Sequence, residues 1–434
     1  MSAQNQIIRV LMMIASALRK CHPAVILGVT LTATTLCFVG CEGLFDTQRW
    51  TSTHRPEAPP EVIVDRQIRV RLLELKPGQS AELAVTSVFS AIDGVAGRQL
   101  APEHPPLSLA ALRPATGGGI ALGGETFDTT NLLITPARDA SIVLNQQTYR
   151  GSLRILRTGE ALTVINLVDV EAYLRGVLRG ELPRYFHPES FKAQCVAART
   201  YVLYQKRIAP PGRPWDVVDD EGSQMYIGVK GEDAIAISAV DGTRGEVCLW
   251  NDGSKEDIFC TYYSSACGGQ SQHVNNVKPR DPDVGPLRGG VVCEDCYVAP
   301  NYKWGPVEIS RADMTKKLVA RYPSLKKLGT ISDLRPKART PDGRILHMEL
   351  IGSGGAKDAL IGEDFRLTMG GRLLKSTNFQ VAKKGDRFIF SDGKGFGHGM
   401  GLCQYGTETK ARRGMDHKAI LATYYPGAII RKIY

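Results

Sequence analysis

The chain has 434 residues, of which 43% are hydrophobic and 23% charged, and it carries a formal net charge of +10 at pH 7. This composition is that of a globular protein with residues for one large domain or two ordinary ones, and it excludes a disordered or fibrous chain. A basic balance favours polyanionic partners or simply a soluble basic surface. No lysine- and arginine-rich run is interleaved with aromatic residues, so we expect no nucleic acid partner.

Residues 1–41 predict an export signal. Arg19 and Lys20 precede an uncharged apolar run at 23–40, which ends at Cys41. A basic flank, an apolar centre and small residues before the break are typical of such signals. Because the run is about 18 residues long, a retained membrane anchor is the alternative. The residues ending at Cys41 resemble a lipoprotein cleavage box, with Cys41 as the lipidated residue. We therefore expect the protein in the cell envelope, held by a lipid or signal anchor.

Four segments describe the predicted organisation. After the export signal, residues 42–65 form a polar, Pro-rich tether. Residues 66–145 are predicted to be β-rich, beginning with an alternating strand at 68–73. Residues 146–434 form the remaining core.

The core predicts more strands than helices. Asp169 caps a helix from Val170 to Leu178 that stops at Gly180, and a second helix runs from Pro188 to about Lys206. The turn Asn251-Asp252-Gly253 indicates a β-hairpin between strands 245–250 and 258–263.

The C-terminal third continues this mixture. Ser310 caps a helix that ends near 321, strands are predicted at 345–350 and 387–390, and a last helix at 416–424 is halted by Pro426-Gly427. The predicted fold class is α+β, a strand-rich domain with a few helices.

Glu181 is the first candidate for chemistry. It follows the C-terminus of the first predicted helix, whose negative end disfavours ionisation of a carboxyl group. Its neighbours Leu182, Pro183, Tyr185 and Phe186 desolvate it further. A carboxylic acid that stays protonated near neutral pH can protonate a glycosidic oxygen. An exposed surface glutamate is the alternative interpretation.

Several separate blocks, in the same order, resemble the SpoIID/LytB family. The blocks are Tyr149–Leu153, Val164–Val177, Gly180–Pro183, Ala193–Tyr201, Gly395–Gly406 and Tyr424–Gly427. The resemblance covers roughly residues 68–434 and is densest from Tyr149 onward.

This resemblance implies work on peptidoglycan in a glycan-binding cleft. Family members related to stage II sporulation protein D are lytic transglycosylases that cleave glycan strands without stem peptides. Their catalytic acid falls on Glu181, with Leu182 where methionine is usual. One carboxylate serves both steps, because the muramic 6-hydroxyl closes a 1,6-anhydro ring and no water attacks. The alternatives are a non-catalytic, peptidoglycan-binding enhancer of a cell-wall amidase, as described for LytB-like members, and a structural lipoprotein that only tethers to glycan.

The candidate substrate-binding residues come from two segments. The first contains Ser264 and Ser265, in a stretch where Tyr263 replaces the histidine common in the family. The second contains His398, Gln404 and Tyr405. Because glycines alternate from Gly395 to Gly401, we expect an extended strand whose bare face lets a polymer approach the backbone. A structural role is the alternative for His398, Ser264 and Ser265.

A structural zinc site is the predicted cofactor. Cys267, His273, Cys293 and Cys296 supply three thiolates and one imidazole, with the last two in a Cys-x2-Cys arrangement. Disulfides are the alternative, because the protein is expected outside the cytoplasm, and free thiols are a third interpretation. Cys248 and Cys260 flank the predicted hairpin, a position that allows a cross-strand disulfide.

Overall fold

The computed structural model of the chain describes residues 65–137 and 140–434. The predicted export signal at 1–41, the lipidation candidate Cys41 and the predicted tether up to residue 64 lie outside the described residues. Among the described helices, none combines the length and the apolar character needed to cross a membrane.

In the part of the chain that the structure describes, helices begin only after the first twelve strands. The helices of the described residues are α1 (Val170–Glu181), α2 (Pro188–Ile208), α3 (Ala234–Gly242), α4 (Val274–Val277), α5 (Arg311–Arg321), α6 (Gly362–Met369), α7 (Gln404–Arg412) and α8 (His417–Tyr424). Short 3-10 turns lie at Gly228–Gly231, Gly285–Leu287, Glu294–Val298 and Pro323–Leu328.

Strands dominate the described residues. Before α1 they are β1 (Gln67–Leu75), β2 (Ala81–Val85), β3 (Phe89–Asp93), β4 (Gln99–His104), β5 (Leu107–Pro114), β6 (Ile120–Leu122), β7 (Glu125–Phe127), β8 (Asn131–Pro136), β9 (Ile142–Leu144), β10 (Gln147–Tyr149), β11 (Ser152–Thr158) and β12 (Ala161–Asp169). After it they are β13 (Val217–Val218), β14 (Glu246–Asn251), β15 (Glu256–Ile258), β16 (Tyr263–Ser264), β17 (Lys303–Trp304), β18 (Val307–Ser310), β19 (Ile331–Arg339), β20 (Ile345–Gly352), β21 (Lys357–Ile361), β22 (Gln380–Lys384), β23 (Arg387–Ser391), β24 (Gly393–Lys394), β25 (Leu402–Cys403) and β26 (Ile429–Lys432).

Two large sheets carry the N-terminal half. One has the strand order β13-β1-β12-β11-β8-β3-β4 and the other β10-β9-β2-β5-β6-β7. In the first sheet β1 pairs antiparallel with β12, from Gln67 opposite Asp169 to Leu75 opposite Leu162. Strands from both sides of residue 145 therefore share one sheet, and its apolar residues pack with α1, α2 and α3 in one core.

Helix α1 forms because its apolar residues recur at helical spacing. Val170, Tyr173, Leu174, Val177 and Leu178 are all buried. They fall at i, i+3, i+4, i+7 and i+8, which places them on one face. The Asp169 side chain accepts a hydrogen bond from the N–H of Glu171 and caps the helix, as the sequence predicts.

Helix α2 connects two hydrophobic cores. Pro188 occupies its first turn, and the ring Nδ1 of His187 accepts from the N–H of Glu189. One face of α2 packs against the sheets, whereas Ala193, Val196 and Ala197 on another face join a second core formed with α7 and α8. A helix buried on two sides is a rigid element against which a site can be built.

Residues 303–394, which we call the inserted subdomain, have a third hydrophobic core of their own. Their sheets are β17-β24, β18-β23-β22 and β19-β20-β21, with α5 and α6 packed on them. The subdomain begins at β17 and ends at β24, and these two strands pair with each other. Both of its connections to the rest of the chain therefore lie close together.

The predicted α+β class is confirmed, and so are the predicted helices at the α1, α2, α5 and α8 positions. The hairpin around 251–253 is confirmed by the pairing of β14 with β15, in which Leu249 lies opposite Ile258. This register does not place Cys248 opposite Cys260, and both are free thiols. The allowed cross-strand disulfide is therefore wrong.

Candidate functional site

Glu181 is the last residue of α1, so it belongs to the helix, whereas the sequence predicts that it follows the helix end. The residue before it, Gly180, makes this position accessible to a second segment of chain. A Cβ atom on Gly180 would lie 2.1 Å from the carbonyl oxygen of Met225, so a larger residue would displace that segment. The close approach lets the N–H of Met225 donate to Glu181 Oε1 over 2.9 Å.

Two side chains also donate to the Glu181 carboxylate. The hydroxyl of Tyr263 lies 3.2 Å from Oε1, and the Nε2 of Gln404 lies 3.3 Å from Oε2. Burial raises the pKa of Glu181 above its usual value, although these three hydrogen bonds favour the ionised form and oppose the rise. The nearby Glu221 carboxylate adds to the rise. A half-buried carboxyl group with a raised pKa is suited to general acid chemistry.

Glu181 lines a cavity of about 430 Å³, which we call the Glu181 cavity. Its walls come from distant parts of the chain: the end of α1, the segment around Met225, the segment 262–265, the residues after α4, helix α6 and the segment 396–404. The inserted subdomain contributes the α6 wall, on which Arg366 forms a bidentate pair with Glu363. A cavity of this volume lies within the range of ordinary ligand-binding pockets.

Four of the five candidate substrate-binding residues line the Glu181 cavity: Ser264, Ser265, His398 and Gln404. The Oγ of Ser264 already accepts from the N–H of Gly399 over 3.2 Å, which ties it to the backbone of the facing loop. Burial lowers the pKa of His398 to about 4, so its imidazole is neutral at pH 7.

Tyr405 is the fifth candidate, and it does not line the Glu181 cavity. Its hydroxyl lies 3.0 Å from that of Tyr185, and its ring packs edge-to-face with Phe186 at 5.1 Å. The reason is helix α7, which the sequence interpretation missed. The Tyr405 side chain points about 100° away from that of Gln404 on this helix, and it packs with Tyr185 and Phe186 instead of lining the cavity.

The expected extended strand at 395–401 is wrong. Gly395, Gly397, Gly399 and Gly401 have φ angles of 82°, 100°, 79° and 59°, so the chain turns at every second residue. The resulting loop packs against segment 262–268. The buried guanidinium of Arg344, from the inserted subdomain, donates to the carbonyl oxygens of Gly397, His398 and Cys267 and holds the loop there.

Sequence interpretation missed three contributors to the site. Tyr263 stands where the family commonly has histidine, and it contacts Glu181 directly. Its hydroxyl donates the hydrogen bond, as a histidine N–H could also do. The Met225 N–H is a backbone group that no side-chain pattern reveals. The α6 wall follows from an inserted subdomain whose placement only the folded chain defines.

Cys267, Cys293, Cys296 and Cys403 form a buried cluster whose sulfur atoms all lie within 4.8 Å of one another. Their arrangement suits a single metal ion with four thiolate ligands. Hydrogen bonds from neighbouring thiols hold the pKa values of Cys293 and Cys296 below the usual thiol value and raise the pKa of Cys267, whereas burial raises the pKa of Cys403. The N–H of Cys267 lies 3.3 Å from the Cys403 sulfur, a further stabilising contact for a thiolate.

The structure therefore places Cys403, rather than His273, beside the other three predicted metal ligands. His273 caps α4, where its Nδ1 accepts from the N–H of Asn275 over 3.1 Å. Its Nε2 lies 3.5 Å from a carboxylate oxygen of Asp283. Cys403 reaches the cluster because β25 pairs with β16, with Cys403 in register with Ser264.

Comparison with known proteins gives two family-model matches. The model described as Stage II sporulation protein matches residues 158–250, which include α1, α2 and Glu181. A second model, described as a Domain of unknown function (DUF8618), matches residues 295–401 and so covers the inserted subdomain.

Three curated relatives extend these matches. An uncharacterized protein of Brachyspira hyodysenteriae is 33% identical over 316 residues, which are 72% of this chain and 77% of the relative. Stage II sporulation protein D of Bacillus subtilis is 26% identical over 295 residues, 64% of this chain and 78% of the relative. The Amidase enhancer of Bacillus subtilis is 26% identical over 294 residues, 59% of this chain, and the match spans only 40% of that relative.

These matches, rather than the α+β fold class, support a role related to the cell wall. The chain belongs to the SpoIID/LytB family.

Proposed function

We propose that the protein is a peptidoglycan lytic transglycosylase that cleaves denuded glycan strands and leaves 1,6-anhydro-muramic ends, with Glu181 as its catalytic acid and base. The observation that supports this proposal is the half-buried Glu181 carboxyl group, with a raised pKa and three hydrogen-bond donors, in the wall of a cavity of about 430 Å³. The test is incubation of the purified protein with stem-peptide-free glycan, followed by mass spectrometry of the products. A complete lack of anhydro products would contradict the proposal.

The proposed reaction uses one carboxyl group twice. Protonated Glu181 gives its proton to the glycosidic oxygen as the bond from the anomeric carbon to that oxygen breaks. The muramic 6-hydroxyl then bonds to the anomeric carbon and returns a proton to the Glu181 carboxylate. No water is consumed, and the carboxyl group ends in its starting state. Tyr263 and Gln404 hold the carboxylate in place during the step in which it is ionised.

The proposal includes the cell envelope as the location and peptidoglycan glycan strands as the partner. Attachment to the membrane, by a lipid on Cys41 or by a retained signal anchor, is part of the same proposal. The net charge of +10 favours an anionic wall polymer over neutral polysaccharide.

A second candidate function is enhancement of a cell-wall amidase. The match to the Bacillus subtilis Amidase enhancer favours it. The two functions differ in their need for Glu181. The enhancer function would be favoured if the wild-type protein and a Glu181→Gln variant stimulate an amidase equally strongly and neither forms anhydro products.

Replacing Tyr263 with phenylalanine is expected to move the alkaline limb of the pH–rate profile upward. The Tyr263 hydroxyl stabilises the ionised form of Glu181 and so lowers its pKa. Without this hydrogen bond the pKa rises, and the protonated acid persists to higher pH. The measurement is the rate of anhydro-product formation from pH 4 to 9, with Tyr322→Phe in the inserted subdomain as the control. A limb that moves downward would show that Tyr263 acts in another way.

We also propose that Cys267, Cys293, Cys296 and Cys403 bind one structural zinc ion. Four protein thiolates would complete a tetrahedral site and leave no open position for substrate. The ion would join the segment that carries Ser264 and Ser265 to β25, which precedes Gln404. Its role is thus to fix two walls of the Glu181 cavity.

Metal removal is expected to destabilise the protein. Elemental analysis should give about one zinc per chain, and chelation should lower the melting temperature by at least about 5 °C, because a structural zinc contributes folding free energy directly. A Cys293→Ser, Cys296→Ser variant should lose the zinc, whereas Cys248→Ala, outside the cluster, should keep it. A metal-free protein with fully reactive or disulfide-bonded cysteines would refute the zinc site.

A further inference from the structure

The charged side chains of the Glu181 cavity are unevenly paired. Arg366 is fully engaged by Glu363, and Glu221 on the rim pairs with Arg372. His398 is neutral at pH 7 because burial lowers its pKa to about 4. Among the described residues that line the cavity, Lys278 is the cation without a carboxylate partner.

Lys278 is held beside the cavity by the end of α4. Its N–H donates to the carbonyl oxygen of Val274 over 2.7 Å, which fixes the backbone. Its ammonium group lies 5.7 Å from the ring centre of Tyr262, another residue that lines the cavity. Asp281, the nearest acidic residue along the chain, accepts a hydrogen bond from the Tyr262 hydroxyl instead.

An unpaired ammonium group beside an aromatic ring is suited to an anionic substituent on a sugar. The ammonium group offers a charge-assisted hydrogen bond to a carboxylate, and the largely buried Tyr262 ring holds the lysine side chain by a cation–π contact. Because Lys278 is exposed, binding of such a group displaces water without the large cost of burying an isolated charge.

We propose that Lys278 is a specificity-determining residue that binds the lactyl carboxylate of a muramic residue. This inference rests on the proposed function, because it concerns the same cavity and the same polymer. In a denuded strand each muramic residue carries a free carboxylate, whereas in a strand with stem peptides that carboxyl group is an uncharged amide. The proposed preference for denuded strands then follows from the negative charge of the free carboxylate, as well as from the limited room in the cavity for a stem peptide.

The test measures binding rather than turnover. Glu181→Gln protein, which leaves the ligand intact, is titrated with three oligosaccharides of equal length: a denuded muramic oligosaccharide, the same compound with its lactyl carboxyl groups converted to methylamides, and a chitooligosaccharide. We expect the carboxylate form to bind about tenfold more tightly than the amide, the ratio for one charge-assisted hydrogen bond.

The expected tenfold ratio should fall to about one when Lys278→Gln is added and should be largely kept with Lys278→Arg. Lys76→Gln, on an exposed turn of the N-terminal sheets, is the matched control and should keep the full ratio. Melting temperatures of all variants should agree, because Lys278 is exposed.

An unchanged ratio in Lys278→Gln would overturn the inference, and so would failure of the carboxylated oligosaccharide to bind. The outcome is separable from that of the proposed function. If the wild-type protein makes no anhydro products but the carboxylate preference depends on Lys278, the lytic activity is refuted and the specificity of the cavity stands.

Discussion

Glu181→Gln is expected to remove the formation of 1,6-anhydro ends. Glutamine has the same shape as glutamate but has no acidic proton, so it can neither protonate the glycosidic oxygen nor accept the proton of the 6-hydroxyl. General acid–base catalysis by one group is worth about 10²- to 10⁴-fold in rate, and the loss should be at the upper end because Glu181 acts in both steps. The measurement is product formation from denuded glycan under single-turnover conditions.

Most of the hydrogen bonds at Glu181 can be kept when glutamine replaces it. A glutamine oxygen can still accept from the Met225 N–H and the Tyr263 hydroxyl. The Gln404 amide nitrogen now donates to Glu181, and it lies 3.5 Å from Gln194 Oε1. In the variant it would face the new amide nitrogen of residue 181, so the Gln404 amide must rotate to present its oxygen there. The fold should therefore survive.

Two observations complete this experiment. Glu82→Gln, an exposed substitution on β2, should leave the rate unchanged and controls for the loss of one negative charge. A Glu181→Gln protein that folds normally and still produces anhydro ends at the wild-type rate would refute Glu181 as the acid.

Removing Arg199 is expected to cause a large loss of stability. Its guanidinium is fully buried on α2 and forms a bidentate pair with Glu171 on α1, with N···O distances of 3.0 and 2.7 Å. Glu171 also accepts from the Tyr434 hydroxyl over 2.6 Å, which brings the last residue of the chain into the same network. Arg199→Ala leaves the Glu171 carboxylate buried without its countercharge.

Breaking a buried ion pair from one side typically costs about 3–5 kcal/mol, so the urea midpoint of Arg199→Ala should fall sharply or the protein should fail to accumulate. The matched control is Arg335→Ala, which removes an exposed pair with Asp333 and should cost at most about 1 kcal/mol. Similar unfolding free energies for the two variants would contradict the assignment. Because the pair joins α1 to α2, its loss should also disturb Glu181 at the end of α1.

The Arg199–Glu171 pair also explains part of the sequence resemblance. Both residues belong to the blocks that resemble the SpoIID/LytB family, yet neither lines the Glu181 cavity. They lie within the segment matched by the sporulation protein model, residues 158–250. These blocks therefore contain both the residues that hold α1 and α2 together and Glu181, the residue at the end of α1 that lines the cavity.

The sequence by itself determined the local elements. Asp169 and the apolar spacing of α1 predict a helix from Val170 to Leu178, which the structure extends to Glu181, because capping and 3.6-residue periodicity are properties of neighbouring residues. The turn at 251–253 defines the β14–β15 hairpin in the same way. The mixture of these local patterns was enough to predict the α+β class.

Only the tertiary structure decided which distant residues meet. Gln404 reaches Glu181 across 223 positions of the chain, and Cys403 rather than His273 joins Cys267, Cys293 and Cys296. Spacing along the chain favoured His273 because it is near, but pairing of β25 with β16 brings Cys403 closer. Likewise the missed helix α7 turned Tyr405 away from Gln404. Long-range contacts depend on the packing of whole elements, which the order of residues within one segment does not specify.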